Sequence, residues 1–269
     1  MNQTIKTSAL SGWSLVNYQV IDAHAHLGIW PTIHAAYGDA EGLLASMDRI
    51  GIETACLSTF QALGGDYRRG NDLAAEVQAR YPGRFLGYGV INPNYQDDIE
   101  REVARCLDDL DLLGIKLHPT SHACPPDGPA YQRVYAMMQV RRGLVLSHTY
   151  GDPSTLERIA AGYPDVTFIL AHAAATYEPE MAESLAVVME ARPNVYLDTC
   201  LSRVYYGDLE RWVAAAGADR LLFGSDVPFN DNAHQIGRVT HADISEEDKR
   251  AILGGNMAAL IASVREDAF

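Results

Sequence analysis

Eight short apolar, β-branched runs alternate with stretches of helical period along this chain, and that alternation most constrains what it can fold into. The runs are Tyr18–His26, Thr54–Thr59, Phe85–Asn92, Gly114–His118, Leu144–Thr149, Thr167–His172, Val195–Thr199 and Arg220–Asp226. Between them lie Ala40–Ile50, Asn71–Tyr81, Gln96–Leu110, Ala130–Arg141, Ser154–Tyr163, Pro179–Arg192 and Gly207–Ala216. Apolar residues in these stretches recur at three and four, and several open on an Asp, Asn or Ser suited to capping a helix. Ser245–Leu253 and Asn256–Val264 read as closing helices. Strand–helix units of about 30 residues build a parallel sheet. Eight of them favour closure into a (β/α)8 TIM barrel over an open doubly wound sheet. The open sheet wants a Gly-rich turn after its first strand, whereas this chain continues AHLGIWP, without GxGxxG. The 269 residues are expected to form one α/β domain, its barrel spanning about residues 18–262.

The net charge of −14 argues against nucleic-acid or anionic-membrane partners, which need a basic surface. No run reaches the roughly 18 apolar residues that cross a membrane. The four cysteines form no CxxC pair, which points away from a disulfide framework. The opening MNQTIKTSALSGWSLVN carries no basic segment followed by an apolar run, so a cytoplasmic protein is expected.

Chemistry concentrates where the runs end. The first closes on IDAHAHLG, and the spacing by two puts Asp22, His24 and His26 on one face of a strand. Two imidazoles on one face make a chelate for a divalent ion such as zinc, although HxH alone also arises by chance. Here it has company. GIKLHP carries Lys116 and His118 on one face, LVLSHT ends at His148, TFILAHA at His172 and LLFGSD at Asp226. Polar groups at buried strand ends are costly unless paired or coordinated, and one metal centre accounts for all of them together.

The set DAHAH (22–26), GIKLHP (114–119), SHT (147–149), AHA (171–173), FGSDVP (223–228) and ILGGNMAALI (252–261) resembles the amidohydrolase superfamily, in its amidohydrolase-2 branch of TIM-barrel metal-dependent hydrolases. The likeness runs from about Val20 to Ile261. It implies His24 and His26 as ligands, joined by His148 and Asp226 in a one-metal site, with His172 free as acid or electrophile. In the two-metal form it implies a carboxylated Lys116 bridging the ions, with His148 and His172 on the second. Zinc is the ion expected first, manganese the alternative. Superfamily members hydrolyse amides, esters and lactones, while the branch also holds non-oxidative decarboxylases. The lysine, usually absent from those decarboxylases, tilts the expectation toward hydrolysis of a C–N or C–O bond in a small, carboxylate-bearing substrate. The alternative is decarboxylation of a small aromatic or unsaturated acid.

A bound ion lowers its water's pKa from about 15.7 toward about 7, and Asp226 is placed to take the proton. Asp22 reads either as a carboxylate orienting a ligand or as a structural cap. His118 should reach the site if Lys116 does. Around the mouth, Trp30, Tyr150 and Arg203 are candidate substrate contacts, Arg203 as a carboxylate clamp; covering a barrel end and pairing at the surface are their plainer roles. His234 and His241 read as surface residues, and Cys124 as a plain loop thiol. Similar proteins form dimers or tetramers, but nothing in the chain marks an interface, so homo-oligomerisation stays open.

Overall fold

The structure is a computed structural model that describes residues 4–172, 179–200 and 206–266. Eight parallel strands run in chain order around one sheet: β1 Ile21–Leu27, β2 Thr54–Thr59, β3 Phe85–Val90, β4 Gly114–Leu117, β5 Leu144–Ser147, β6 Thr167–Leu170, β7 Val195–Asp198 and β8 Leu221–Leu222. The ring is closed between β8 and β1 by backbone bonds. Ala23 N–H donates to Phe223 O, Asp226 N–H to His24 O, and His26 N–H to Val227 O. The fold is therefore the expected (β/α)8 barrel.

Sequence chemistry accounts for the elements. Helix Ala40–Ile50 starts on Asp39, which accepts from Gly42 N–H, and stops at Gly51 in the left-handed region. Asp152, Asp231 and Ser245 cap three later helices in the same way. Helix Asn232–His241 was not foreseen, and His234 and His241 are exposed on it, as their surface reading required. One apolar cluster takes Ile21, Cys56, Leu86, Leu144, Ile169 and Leu222 from strands around the ring, with Met257 and Leu260 of the closing helix beneath. Burying each such side chain contributes about 1.5–3 kcal/mol. That plug fills the barrel floor beneath the polar groups of the C-terminal mouth.

Two expectations are corrected. The eighth strand was read as Arg220–Asp226 but is a strand, paired with β7, only over Leu221–Leu222. Beyond it Gly224 passes so close to β7 and β1 that an added Cβ would lie 3.2 Å from the Cβ atoms of Asp198 and His24. Asp226 then turns at φ +58°. The second correction concerns Asp22. It pairs with Ala55, while His26 pairs with Ser58, so β1 spends one more residue than β2 over this stretch. The bulge breaks the alternation, and Asp22 does not share the face of His26. Its carboxylate instead accepts from the backbone N–H of His24 and Ser225 and from the Ser225 hydroxyl, tying β1 to the segment after β8. Burial raises its pKa to about 7, against those hydrogen bonds.

Pairing of β2 with β3 ends at Leu57 and Gly87, where the strands diverge. The buried Asn71 side chain from helix Tyr67–Arg80 completes the ladder, accepting from Val90 N–H at 2.7 Å and donating to Val90 O at 3.0 Å and to Glu102 at 2.8 Å. Asn71→Ala leaves both Val90 groups unsatisfied and is expected to cost about 3 kcal/mol. The exposed Arg69–Glu76 pair should give less than about 1 kcal/mol on Arg69→Ala. Denaturant unfolding of the two variants checks this. Equal midpoints would show that Asn71 does not complete the sheet.

Candidate metal centre

The β1 histidines are held from behind and converge in front. His24 Nδ1 lies 2.7 Å from Asp198 Oδ2 at the end of β7, and His26 Nδ1 lies 3.0 Å from the Ser58 hydroxyl on β2. Each contact fixes a ring and turns its Nε2 to the barrel axis. The two Nε2 atoms are 3.2 Å apart. Asp226 Oδ1 is 3.1 Å from His26 Nε2 and 3.7 Å from His24 Nε2. Lys116 pairs in register with Leu146, which faces the interior, and its Nζ reaches 2.8 Å from His24 Nε2.

These groups fit a divalent ion. Two imidazole nitrogens on one tetrahedral ion sit about 3.3 Å apart, close to the spacing of the Nε2 atoms. All three donor residues are buried, and Asp226 Oδ1 accepts no hydrogen bond among the described residues. A buried carboxylate oxygen without a donor is expensive, and a cation removes the cost. Burial, then the Lys116 charge, push His24 well below its ordinary range, and burial lowers His26 against Asp226; both shifts favour the neutral form that a ligand needs. Burial alone would raise Asp226, but the close His26, with His24 and His172, holds it well below the usual carboxylate range. Lys116, 1 % exposed, is lowered to about 8 by burial, with Asp226 and Asp198 opposing.

A second row of histidines lies alongside. His172 Nε2 is 3.1 Å from His148 Nδ1, and His118 stacks on His148 with centroids 4.1 Å apart. His118 also caps a short helix, its Nδ1 accepting from Ser121 N–H. Burial, His148 and Lys116 lower His118 to about 2; burial, His172 and Lys116 lower His148 to about 3. His148, expected beside His24 and His26, is instead joined to His172 and is not among the three donors that converge. His172 sits at φ +61°, its backbone N–H donating to Asp198 Oδ1 at 2.8 Å and its Nδ1 3.9 Å from Asp226 Oδ2.

An aromatic wall flanks the donors. Phe60 stacks on His26 at 4.5 Å, Phe229 lies 4.6 Å from Phe60, and Trp30 meets both phenylalanines edge-on. Trp30 thus reaches the mouth through this wall. Tyr150 does not: it is 1 % exposed, packs on Phe168 in the outer core, and its hydroxyl donates to Val145 O. Its position just after β5 had suggested a mouth residue, but the chain turns it under the helices, and the substrate role is withdrawn. Arg203 lies outside the described residues. Sequence reasoning passed over Asp198, Ser58 and Cys200. Asp198 ends an apolar run just as Asp226 does, and Ser58 is the register partner of His26, so both carried a signal. Cys200 carried none.

The amidohydrolase family profile matches residues 21–261, and the chain belongs to that family. It is 24 % identical over 290 residues to the gamma-resorcylate decarboxylase of Polaromonas sp. (strain JS666 / ATCC BAA-500), covering 84 % of this chain and 89 % of that protein. Two solved structures share the fold. The 2,6-dihydroxybenzoate decarboxylase from Rhizobium superposes with a TM-score of 0.72 at 18 % identity, over 91 % of this chain and 99 % of that one. A dihydroxybenzoic acid decarboxylase from Polaromonas sp. JS666, with bound manganese and 2-nitroresorcinol, gives 0.74 at 19 % identity, over 94 % and 99 %. These relatives overturn the expectation of a hydrolase, which leaned on Lys116. Among the described residues no helix is long and apolar enough to cross a membrane.

Asp198→Asn removes the charge behind His24 while keeping its shape. Manganese affinity, measured by equilibrium dialysis, should fall about 10–100-fold. An unchanged affinity would mean that Asp198 does not orient the ligand.

Proposed function

We propose that this protein is a divalent-metal-dependent, non-oxidative decarboxylase of a small aromatic carboxylic acid. The observation that carries the reading is the Phe60–Phe229 pair stacked on His26, an apolar wall beside the three converging donors. A planar acid lying on that wall presents its carboxyl end to His24, His26 and Asp226. The names of the relatives support the same class, and manganese in one of them supports a divalent ion held by those three residues. When bound, that ion supplies positive charge that draws the acid in and withdraws electron density from its ring.

The chain's residues do the rest. In the reaction the ring–carboxyl bond breaks, carbon dioxide leaves, and its electron pair stays on the ring carbon, which takes a proton. His172 is the donor we assign, because it stands between Asp226 and His148, and the stacked His118 continues the row toward the mouth. Asp226 orients the ion-side end of the substrate. Lys116 is buried, and among the described residues no carboxylate lies within ion-pair distance of its Nζ, so it adds cationic charge where the substrate's carboxylate arrives. Trp30, Phe60 and Phe229 exclude water from the ring.

The manganese-loaded protein is expected to release carbon dioxide from 2,6-dihydroxybenzoate or 5-carboxyvanillate, and chelation should abolish the release. His172→Gln should lower kcat by at least about a hundredfold with metal content unchanged. No carbon dioxide from either acid, or from a panel of hydroxybenzoic acids, would overturn the proposal. An active His172→Gln would move the proton donor elsewhere.

A further inference from the structure

Cys200 is not one of the three converging donors, yet it is not an isolated thiol. Its Sγ lies 3.3 Å from His24 Nδ1, 3.3 Å from His172 Nδ1 and 2.9 Å from Asp198 Oδ1. One ligand atom from each of Cys200, His172 and His24 lies within 4.8 Å of the other two. A tetrahedral ion with ordinary thiolate and imidazole bond lengths holds sulfur and nitrogen about 3.5 Å apart, so the two sulfur–nitrogen distances need shifts of only a few tenths of an ångström. Thiolate and imidazole together select softer ions, whereas a carboxylate-bearing set also suits manganese.

We propose that Cys200, His172 and His24 form a second metal site for thiophilic divalent ions such as cadmium or zinc, which shares His24 with the first centre and excludes an ion from it. The exclusion follows from the imidazole, which when neutral has one lone pair. With the proton on Nδ1 facing Asp198, the Nε2 lone pair serves the first centre. An ion on Nδ1 requires the proton on Nε2, and that nitrogen no longer coordinates. At the sulfur, the S–H bond breaks and an S–metal bond forms, the proton passing to solvent with no change of oxidation state. Asp198 gives up its hydrogen bond to His24 and leaves a carboxylate beside the dication. The inference depends on where the first ion sits and not on decarboxylation.

The test is cadmium added to the metal-free protein, followed by the ultraviolet sulfur-to-cadmium charge-transfer band. One equivalent should saturate the band. Cys200→Ser should lose it, and Cys124→Ser, which alters the half-buried loop thiol, should keep it. Cys200→Ser retains a hydroxyl donor for Asp198, and its bound manganese, read by electron paramagnetic resonance, shows that it is folded. Cadmium at a hundred times its dissociation constant should raise the apparent manganese Kd about a hundredfold in the wild type, and far less in Cys200→Ser. A missing band, or one that survives Cys200→Ser, overturns the site and leaves the thiol as a hydrogen-bond donor only. Equal displacement of manganese in both proteins overturns the sharing of His24.

Discussion

The contact between Asp198 and His24 is the interaction on which the centre turns. One carboxylate holds the His24 ring through Oδ2, while Oδ1 takes the backbone N–H of His172 and of Cys200. It therefore joins β1 to the ends of β6 and β7, and it decides which His24 nitrogen carries the proton. Burial raises the pKa of Asp198, with His172 and Cys200 opposing. Without partners on both oxygens a carboxylate at that depth would be costly, and the barrel mouth would lose its reference point.

Holding this arrangement requires a backbone that ordinary residues avoid. His172 and Asp226 both lie in the left-handed region, at φ +61° and +58°. Each such residue costs on the order of 1–3 kcal/mol. The neighbours over-determine both. His172 is fixed by Asp198 and His148, and Asp226 by its backbone bond to His24 and by Phe229 and Asn230 donating N–H to its carbonyl. Below them the apolar plug and the Asn71 repair of the sheet supply the rigidity that keeps these bonds in register.

The fold was legible because periodicity is a local property. The second strand, Thr54–Thr59, and the helix Ala40–Ile50 have the bounds that the spacing predicts. His24, His26, Lys116 and Asp226 were legible as polar residues closing apolar runs. What stayed hidden depended on pairing between distant segments. The β1 bulge is invisible in IDAHAHL, since only register with β2 reveals it, and so Asp22 was given the wrong face. Tyr150 looked like a mouth residue because position in sequence does not tell which way a loop turns. Asp198 obeyed the rule that found Asp226, and only its contact with His24, a residue far away in sequence, shows what it does.

Lys116 shows why the ligand set alone does not name a reaction. In sequence it stands where a bridging ligand would, and that place favoured a hydroxide attacking a carbonyl. In space its ammonium lies against His24 Nε2, on the side of the three converging donors, while His148 is joined to His172. Three donors and a cation attract an anionic acid as readily as they activate water, so the discrimination has to come from what surrounds them. Here the surroundings are flat and apolar on one side and a row of imidazoles on the other. A wall made largely of aromatic carbon gives a hydrolytic intermediate little to hold, and under the proposed reading it suits an aromatic ring that needs a proton on carbon once its carboxyl group has gone.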